Sequence, residues 1–194
     1  MAQMKFESTV LTGLLIVLPI LLTRYLLTSL LNREAVKRAA FFPPTQGLEK
    51  PAYFVNIGTT LLLLVVPFFL RINLHGVMGI AGGSLSLLSL VLYGISIVHF
   101  AWPDSSGINR SGLYAVSRNP IYVAFFLYFL GACMMTRSWL LTGVLALFQV
   151  SVHFMILAEE RWCRGKFGEP FDEYIRKVRR YVCLTHGYWK IDRS

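Results

Sequence analysis

Charge is scarce in this chain. Of its 194 residues only 15 % are Asp, Glu, Lys or Arg, and no more than 10 are acidic. With 55 % apolar residues and a mean hydropathy of +0.56, that shortage excludes a disordered chain and departs from the usual soluble mix. Cysteine is scarce as well. Cys133, Cys163 and Cys183 make an odd count with no CxxC spacing, which argues against a disulfide framework and a zinc site. The four histidines, His75, His99, His153 and His186, form no HxxxH pair, so no metal is expected. His153 alone, seven residues before Glu160 on nearly the same helix face, is a candidate to line a site. Nothing alternates strand with helix, which rules out a Rossmann-like sheet, and there is no internal repeat.

What is abundant is apolar runs of membrane length. Residues 10–31, 54–70, 74–102, 121–136 and 140–157 form five blocks. The first lacks a small-residue cleavage site and reads as a retained anchor. It is interrupted by Pro19 and by Arg24, which must snorkel, pair or face a polar cavity, snorkelling being the favoured reading. Short links at 71–73 and 137–139 predict two tight helical hairpins. The fourth block has 16 residues, short for a span, which keeps a re-entrant hairpin as an alternative. Gly79, Gly82, Gly83, Ser84 and Ser86 lie inside an apolar helix, so they predict close helix packing rather than a phosphate loop.

The 19 basic residues set against 10 acidic ones follow from membrane orientation rather than from nucleic acid. With the N-terminus outside, Arg33, Lys37, Arg38, Lys50, Arg110, Arg118 and nine Lys or Arg after Leu157 make fifteen on one side. Only Lys5, Arg71 and Arg137 fall on the other. The first loop, the third loop and the tail are therefore expected in the cytoplasm. In the tail, Gly168-Glu169-Pro170 marks a loop and a helix start, and Phe171, Tyr174, Ile175 and Val178 recur at helical spacing opposite a charged face. A membrane-surface helix alone accounts for that pattern.

Two features on the cytoplasmic side carry candidate chemistry. Asn119-Pro120 reads as an N-cap followed by the first helical position, and the free N–H groups of that helix start, with Arg118, suit an anion. Glu159-Glu160, expected at the C-terminal end of the fifth span, opposes the helix dipole and invites a cation. A plain cap beside a snorkelling arginine and a solvated helix exit are the simpler readings of each. Their coincidence on one short hairpin, with a tail able to cover both, favours a site.

These same residues carry a resemblance. Arg118-Asn119-Pro120-Ile121-Tyr122, then Glu159-Glu160, then Phe167, Gly168, Phe171 and Tyr174 are similar in order and spacing to the C-terminal signature of the isoprenylcysteine carboxyl methyltransferase family. That signature is Arg-His-Pro-x-Tyr, a two-span hairpin, a Glu-Glu pair, and Phe-Gly-x-x-(Phe/Tyr)-x-x-Tyr before a basic stretch. The likeness covers Gly112 onward, about the last half of the chain, and points to an archaeal or bacterial member. The wider group includes membrane phospholipid methyltransferases and reductases.

The resemblance implies methyl transfer from S-adenosylmethionine, leaving S-adenosylhomocysteine, to the C-terminal carboxylate of a prenylated cysteine drawn from the bilayer. It implies cofactor contacts at Tyr114, Asn119, Pro120, Ile121, Tyr122 and Glu159, with His99, Ser106, Gly107, Ile108 and Asn109 as further contacts upstream. Arg118, Glu159 and Glu160 are the residues it assigns to catalysis. Two departures bear on the chemistry. Asn119 stands where the family has histidine, which costs little because a carboxylate is already ionised and needs no base. Met155 stands where the family places an arginine facing the substrate carboxylate, so the acceptor is open and Arg118 or Arg164 is left to supply the charge. The amine of a phospholipid headgroup is the alternative acceptor, and a non-catalytic membrane interaction protein is the alternative class.

The expectation is thus an all-α integral membrane protein. It has five transmembrane helices, two helical hairpins and a cytoplasmic amphipathic C-terminal helix in one membrane domain, 1–194. Residues 1–103 are scaffold. Residues 104–194 hold the cofactor loop, spans four and five and the tail, facing the cytoplasm; the expected partners are a lipid-modified small molecule, peptide or protein substrate from the bilayer and membrane lipid, with neither metal nor nucleic acid.

Overall fold

A computed structural model describes residues 2–181, with side chains from residue 9 onward. Cys183 and His186 lie outside the described residues. Every regular element among those described is helical: α1 (Ala2–Leu21), α2 (Thr28–Leu31), α3 (Arg33–Ala39), α4 (Glu49–Val65), α5 (Gly76–Ala101), α6 (Pro120–Thr136), α7 (Trp139–Phe167) and α8 (Glu169–Lys177). A π-helical segment, Leu22–Leu27, joins α1 to α2. Four helical stretches are long and apolar enough to cross a membrane: Thr9–Leu31, Glu49–Phe69, α5 and α7. The fourth block is α6, with 17 residues. At 1.5 Å per residue it reaches about 25 Å, short of a hydrocarbon core of about 30 Å.

The two short links are present, but only the second joins helices that pack on each other: α6 lies against α7, so one of the two expected hairpins forms. α5 lies along α6 and α4 along α7, whereas α4 and α5 hardly touch. Small residues decide this. Gly82 and Ser86 on α5 face Gly131 on α6, where a Cβ would run into the Ser86 hydroxyl and the Gly82 carbonyl. That leaves room for Ser86 Oγ to donate to the Tyr128 carbonyl at 3.1 Å. Gly79 serves a different purpose from the one expected, since it is pressed against the backbone of Asn73 and Leu74 rather than a second helix.

Polar ties set which ends lie together. Asn73 N–H donates to the Met135 carbonyl at 2.8 Å, Arg137 to the His75 carbonyl at 3.1 Å, and Ile72 N–H to Thr12 Oγ1 at 3.2 Å. Both links and the start of the first span therefore share one end of the bundle. At the other end Asn32 Nδ2 and Arg38 reach the last carbonyls of α5, at 3.0 Å and 2.9 Å. The alternation expected of the spans holds. Between the ends, Tyr93, Phe129, Leu145, Val152 and Ile156 form the buried core, and Tyr128 donates to the Ile16 carbonyl at 2.6 Å, tying the first span to α6. Leu30, Phe54, Phe69 and Trp139 point outward, as a lipid-facing belt requires.

Candidate functional site

α7 does not stop where its apolar run stops. It continues through Glu159 and Glu160 to Phe167 and ends at Gly168, whose φ of 60° suits a residue without a Cβ. The acid pair therefore sits two turns inside the helix rather than at its C-terminal end. Opposition to the dipole is not what the pair meets; what each acid touches matters instead, and the two part company.

Glu160 is fully engaged. Arg118 reaches it through Nε at 3.1 Å and Nη2 at 2.7 Å, and Arg180 through Nε at 3.0 Å and Nη2 at 2.8 Å. The bond to Glu160 raises the Arg180 guanidinium pKa further. Arg118 also donates to the carbonyls of Ile175 and Val178, at 3.0 Å and 2.7 Å. Both cations thereby fasten α8 and the segment after it over the α6–α7 pair. Arg164 is spent as well, on exposed Asp172 at 3.1 Å. Neither arginine proposed for the substrate's charge is free to meet it.

Glu159 is different. Its described hydrogen-bond partner is the Tyr122 hydroxyl at 2.7 Å, and it faces a cavity of 580 Å³. Asn119 occupies the N-cap position of α6 but does not cap it, because its side-chain amide donates to the Arg180 carbonyl at 3.0 Å. The helix start is left open, with Ile121 and Tyr122 on the cavity wall.

The same wall receives Gly107, Ile108, Asn109 and Tyr114 from the loop after α5. Asp104 shapes that loop, accepting from Ser106 and Ile108 N–H groups and from Arg110. Burial pushes its carboxyl up, but the bonds from Ser106, Arg110 and Ile108 outweigh it and leave the pKa lowered. Asn109 Oδ1 is buried with no hydrogen-bond partner among the described residues. Tyr114 is buried, its hydroxyl pKa raised well above normal by desolvation, and its carbonyl accepts from Tyr174 on α8 at 2.7 Å.

Of the residues expected at the cofactor, the fold thus brings Gly107, Ile108, Asn109, Tyr114, Asn119, Ile121, Tyr122 and Glu159 to one cavity. It leaves three aside, and with them Met155, which was expected at the substrate. His99 packs beneath Gly112, where any Cβ would strike its ring, and its Nδ1 accepts from Leu113 N–H at 3.4 Å. Ser106 is used within the Asp104 loop, Pro120 only starts α6, and Met155 is buried in the bundle rather than on the cavity wall. His153, the other candidate, contacts the Tyr181 hydroxyl at 2.8 Å.

Residues that pattern reading did not assign to the site also line the wall: Arg24, Lys37, Arg38, Phe41 and Pro43 from the first half of the chain, with Trp162 and Lys166 from the second, beside the signature residues Phe167 and Phe171. Arg24 does not snorkel. It turns inward, its guanidinium 3.4 Å from the Tyr93 hydroxyl and 3.5 Å from the Ala39 carbonyl. An arginine within an apolar run is itself a signal for a polar cavity.

A profile of the phospholipid methyltransferase family matches residues 60–170, more than half of the chain and most of these site elements. The chain belongs to that family. It is a membrane methyltransferase, and the isoprenylcysteine signature falls in the same group. No match is found among curated proteins or among solved structures. In this phospholipid methyltransferase family member the matched stretch runs from within α4 to the start of α8. The first span and α3 lie outside it, although they carry Arg24, Arg38 and Phe41 to the cavity.

Proposed function

We propose that this membrane methyltransferase takes its methyl group from S-adenosylmethionine and transfers it to the carboxylate of a prenylated cysteine or a similar lipid-like acid. The observation that carries the reading is the unequal use of the acid pair, which leaves Glu159 facing a cavity large enough for a nucleoside.

The wall suits that cofactor. Glu159 would accept from its ammonium or ribose hydroxyls, Asn109 Oδ1, without a partner among the described residues, would accept from a further donor, and the open start of α6 favours its carboxylate. Tyr114 and Phe167 offer faces for adenine. When bound, S-adenosylmethionine supplies a methyl whose bond to sulfur breaks as its bond to a carboxylate oxygen forms, so opposite charges cancel and no proton moves. The protein's own residues hold the partners in line and keep water out, which suffices for an acceptor already ionised at neutral pH. With fifteen basic residues expected at this end and three at the other, the cavity faces the cytoplasm.

The test is transfer of labelled methyl to a farnesyl or geranylgeranyl cysteine acid. A base-labile ester is expected; none across a range of such acids would overturn the acceptor. Met155 at the position where the isoprenylcysteine signature implies an arginine, together with the phospholipid description of the matched family, favours a second reading in which a headgroup amine is methylated. An amine must first lose a proton, so its rate climbs with pH through the neutral range while that of a carboxylate stays flat.

A further inference from the structure

We infer that Arg24, from the first span, binds the acidic headgroup of the methyl acceptor and makes the protein selective for anionic amphiphiles. The inference rests on the cavity being the methyl-transfer site. It adds a substrate-binding residue that lies outside the stretch matching the family.

Arg24 sits seven residues before Leu31, the end of an apolar stretch, which is about 10 Å of helix from that end. A guanidinium at such depth is costly unless its five donors are met by an anion or by water. Here no carboxylate lies within ion-pair distance among the described residues, and its two hydrogen bonds, at 3.4 Å and 3.5 Å, are at the long limit. The other cavity cations are placed differently. Arg38 caps α5 through the Phe100 and Ala101 carbonyls, Arg118 holds Glu160, Lys37 pairs with Glu34 in solvent, and Lys166 stands over the Trp162 and Phe167 rings.

The backbone supports the placement. Arg24 lies within the π-helical segment, whose wider turn changes which residue faces the bundle. Pro19 begins the disturbance, and Thr23 and Thr28 cover exposed carbonyls by donating to Pro19 and Arg24. The guanidinium is thereby turned toward Tyr93 and into the cavity it shares with Tyr122 and Glu159. Glu159 marks the side suited to a cationic ligand group. An arginine fork facing the same space suits a carboxylate or a phosphate.

Binding of four compounds to the purified full chain tests this without relying on turnover: a farnesylated thiol acid, its methyl ester, a long-chain alkyl phosphate and the matching alcohol. The wild type is expected to bind at least one acid about tenfold tighter than its neutral counterpart, and the tighter of the two acids tells carboxylate from phosphate. Arg24→Gln should bring that preference below threefold while the S-adenosylhomocysteine Kd stays within threefold. Arg24→Lys, which keeps the charge, should restore part of the preference and guards against simple misfolding. A preference unchanged in Arg24→Gln, no preference in the wild type, or an equal loss of S-adenosylhomocysteine binding would overturn the assignment. Absence of methyl transfer with the acid preference intact would instead reject the proposed activity and leave Arg24 as an anion-binding residue.

Discussion

The two ends of the bundle treat polar groups in opposite ways. At the link end, Ile72 N–H donates to Thr12 Oγ1, Asn73 N–H to the Met135 carbonyl and Arg137 to the His75 carbonyl, and Arg137 closes α6 in a left-handed conformation. At the far end, among the described residues, Arg24 has only long bonds, Glu159 has the Tyr122 hydroxyl and Asn109 Oδ1 has no partner. Polar satisfaction is what a fold needs to persist in lipid. Where it is incomplete around a cavity, a ligand is the natural complement. The contrast recurs between adjacent residues, since Glu160 behaves like the closed end and Glu159 like the open one.

Breaking the open end should have the largest effect. Glu159→Ala is expected to weaken S-adenosylhomocysteine binding by about 30-fold, the ~2 kcal/mol of one charge-assisted hydrogen bond. Calorimetry on Arg71→Ala, at the link end, should show a change under twofold; equal losses would mean the contrast is misplaced. Arg118→Ala comes next. It removes a clamp whose side chain is 9 % exposed, leaving Glu160 with Arg180 alone. Because Arg180 still pairs with Glu160, a loss of about 1.5 kcal/mol is expected, seen as a lower unfolding midpoint and faster proteolysis after α8, with cofactor affinity falling in step. An unchanged midpoint would show that the tail is held by its apolar face.

The smallest effect belongs to Asp104. Its folded pKa is lowered, so its contribution to loop stability is present above the usual carboxylate range and lost as pH falls below it. Because Asp104 is one-third exposed, Asp104→Asn should cost only about 0.5 kcal/mol and flatten the acid side of the stability profile. An unaltered acid limb would show that Ser106 and the backbone hold the loop without the charge.

Much of this architecture could be read from residues alone, and the failures have physical causes. Apolar runs, the gap between Arg137 and Trp139, and Gly168-Glu169-Pro170 located the helices because length and breakers act locally. Which helix packs on which did not follow: the pairing of α5 with α6 depends on Gly82 meeting Gly131 in space. Glu159 was recognisable from the motif, but its separation from Glu160 was not, since both acids look alike until Arg118 and Arg180 choose one. Asn119 was placed at the start of α6, yet its amide serves the tail because the Arg180 carbonyl competes for it. Arg24 was misjudged because snorkelling assumes an undisturbed helix, and the π-helical turn lies beyond what spacing conveys.

The most direct measurement is a structure of the protein soaked with S-adenosylhomocysteine. The nucleoside should lie in the 580 Å³ cavity within hydrogen-bond reach of both the Glu159 carboxylate and the loop bearing Asn109. Density elsewhere on the molecule, or a cavity still empty at saturating ligand, would contradict the account.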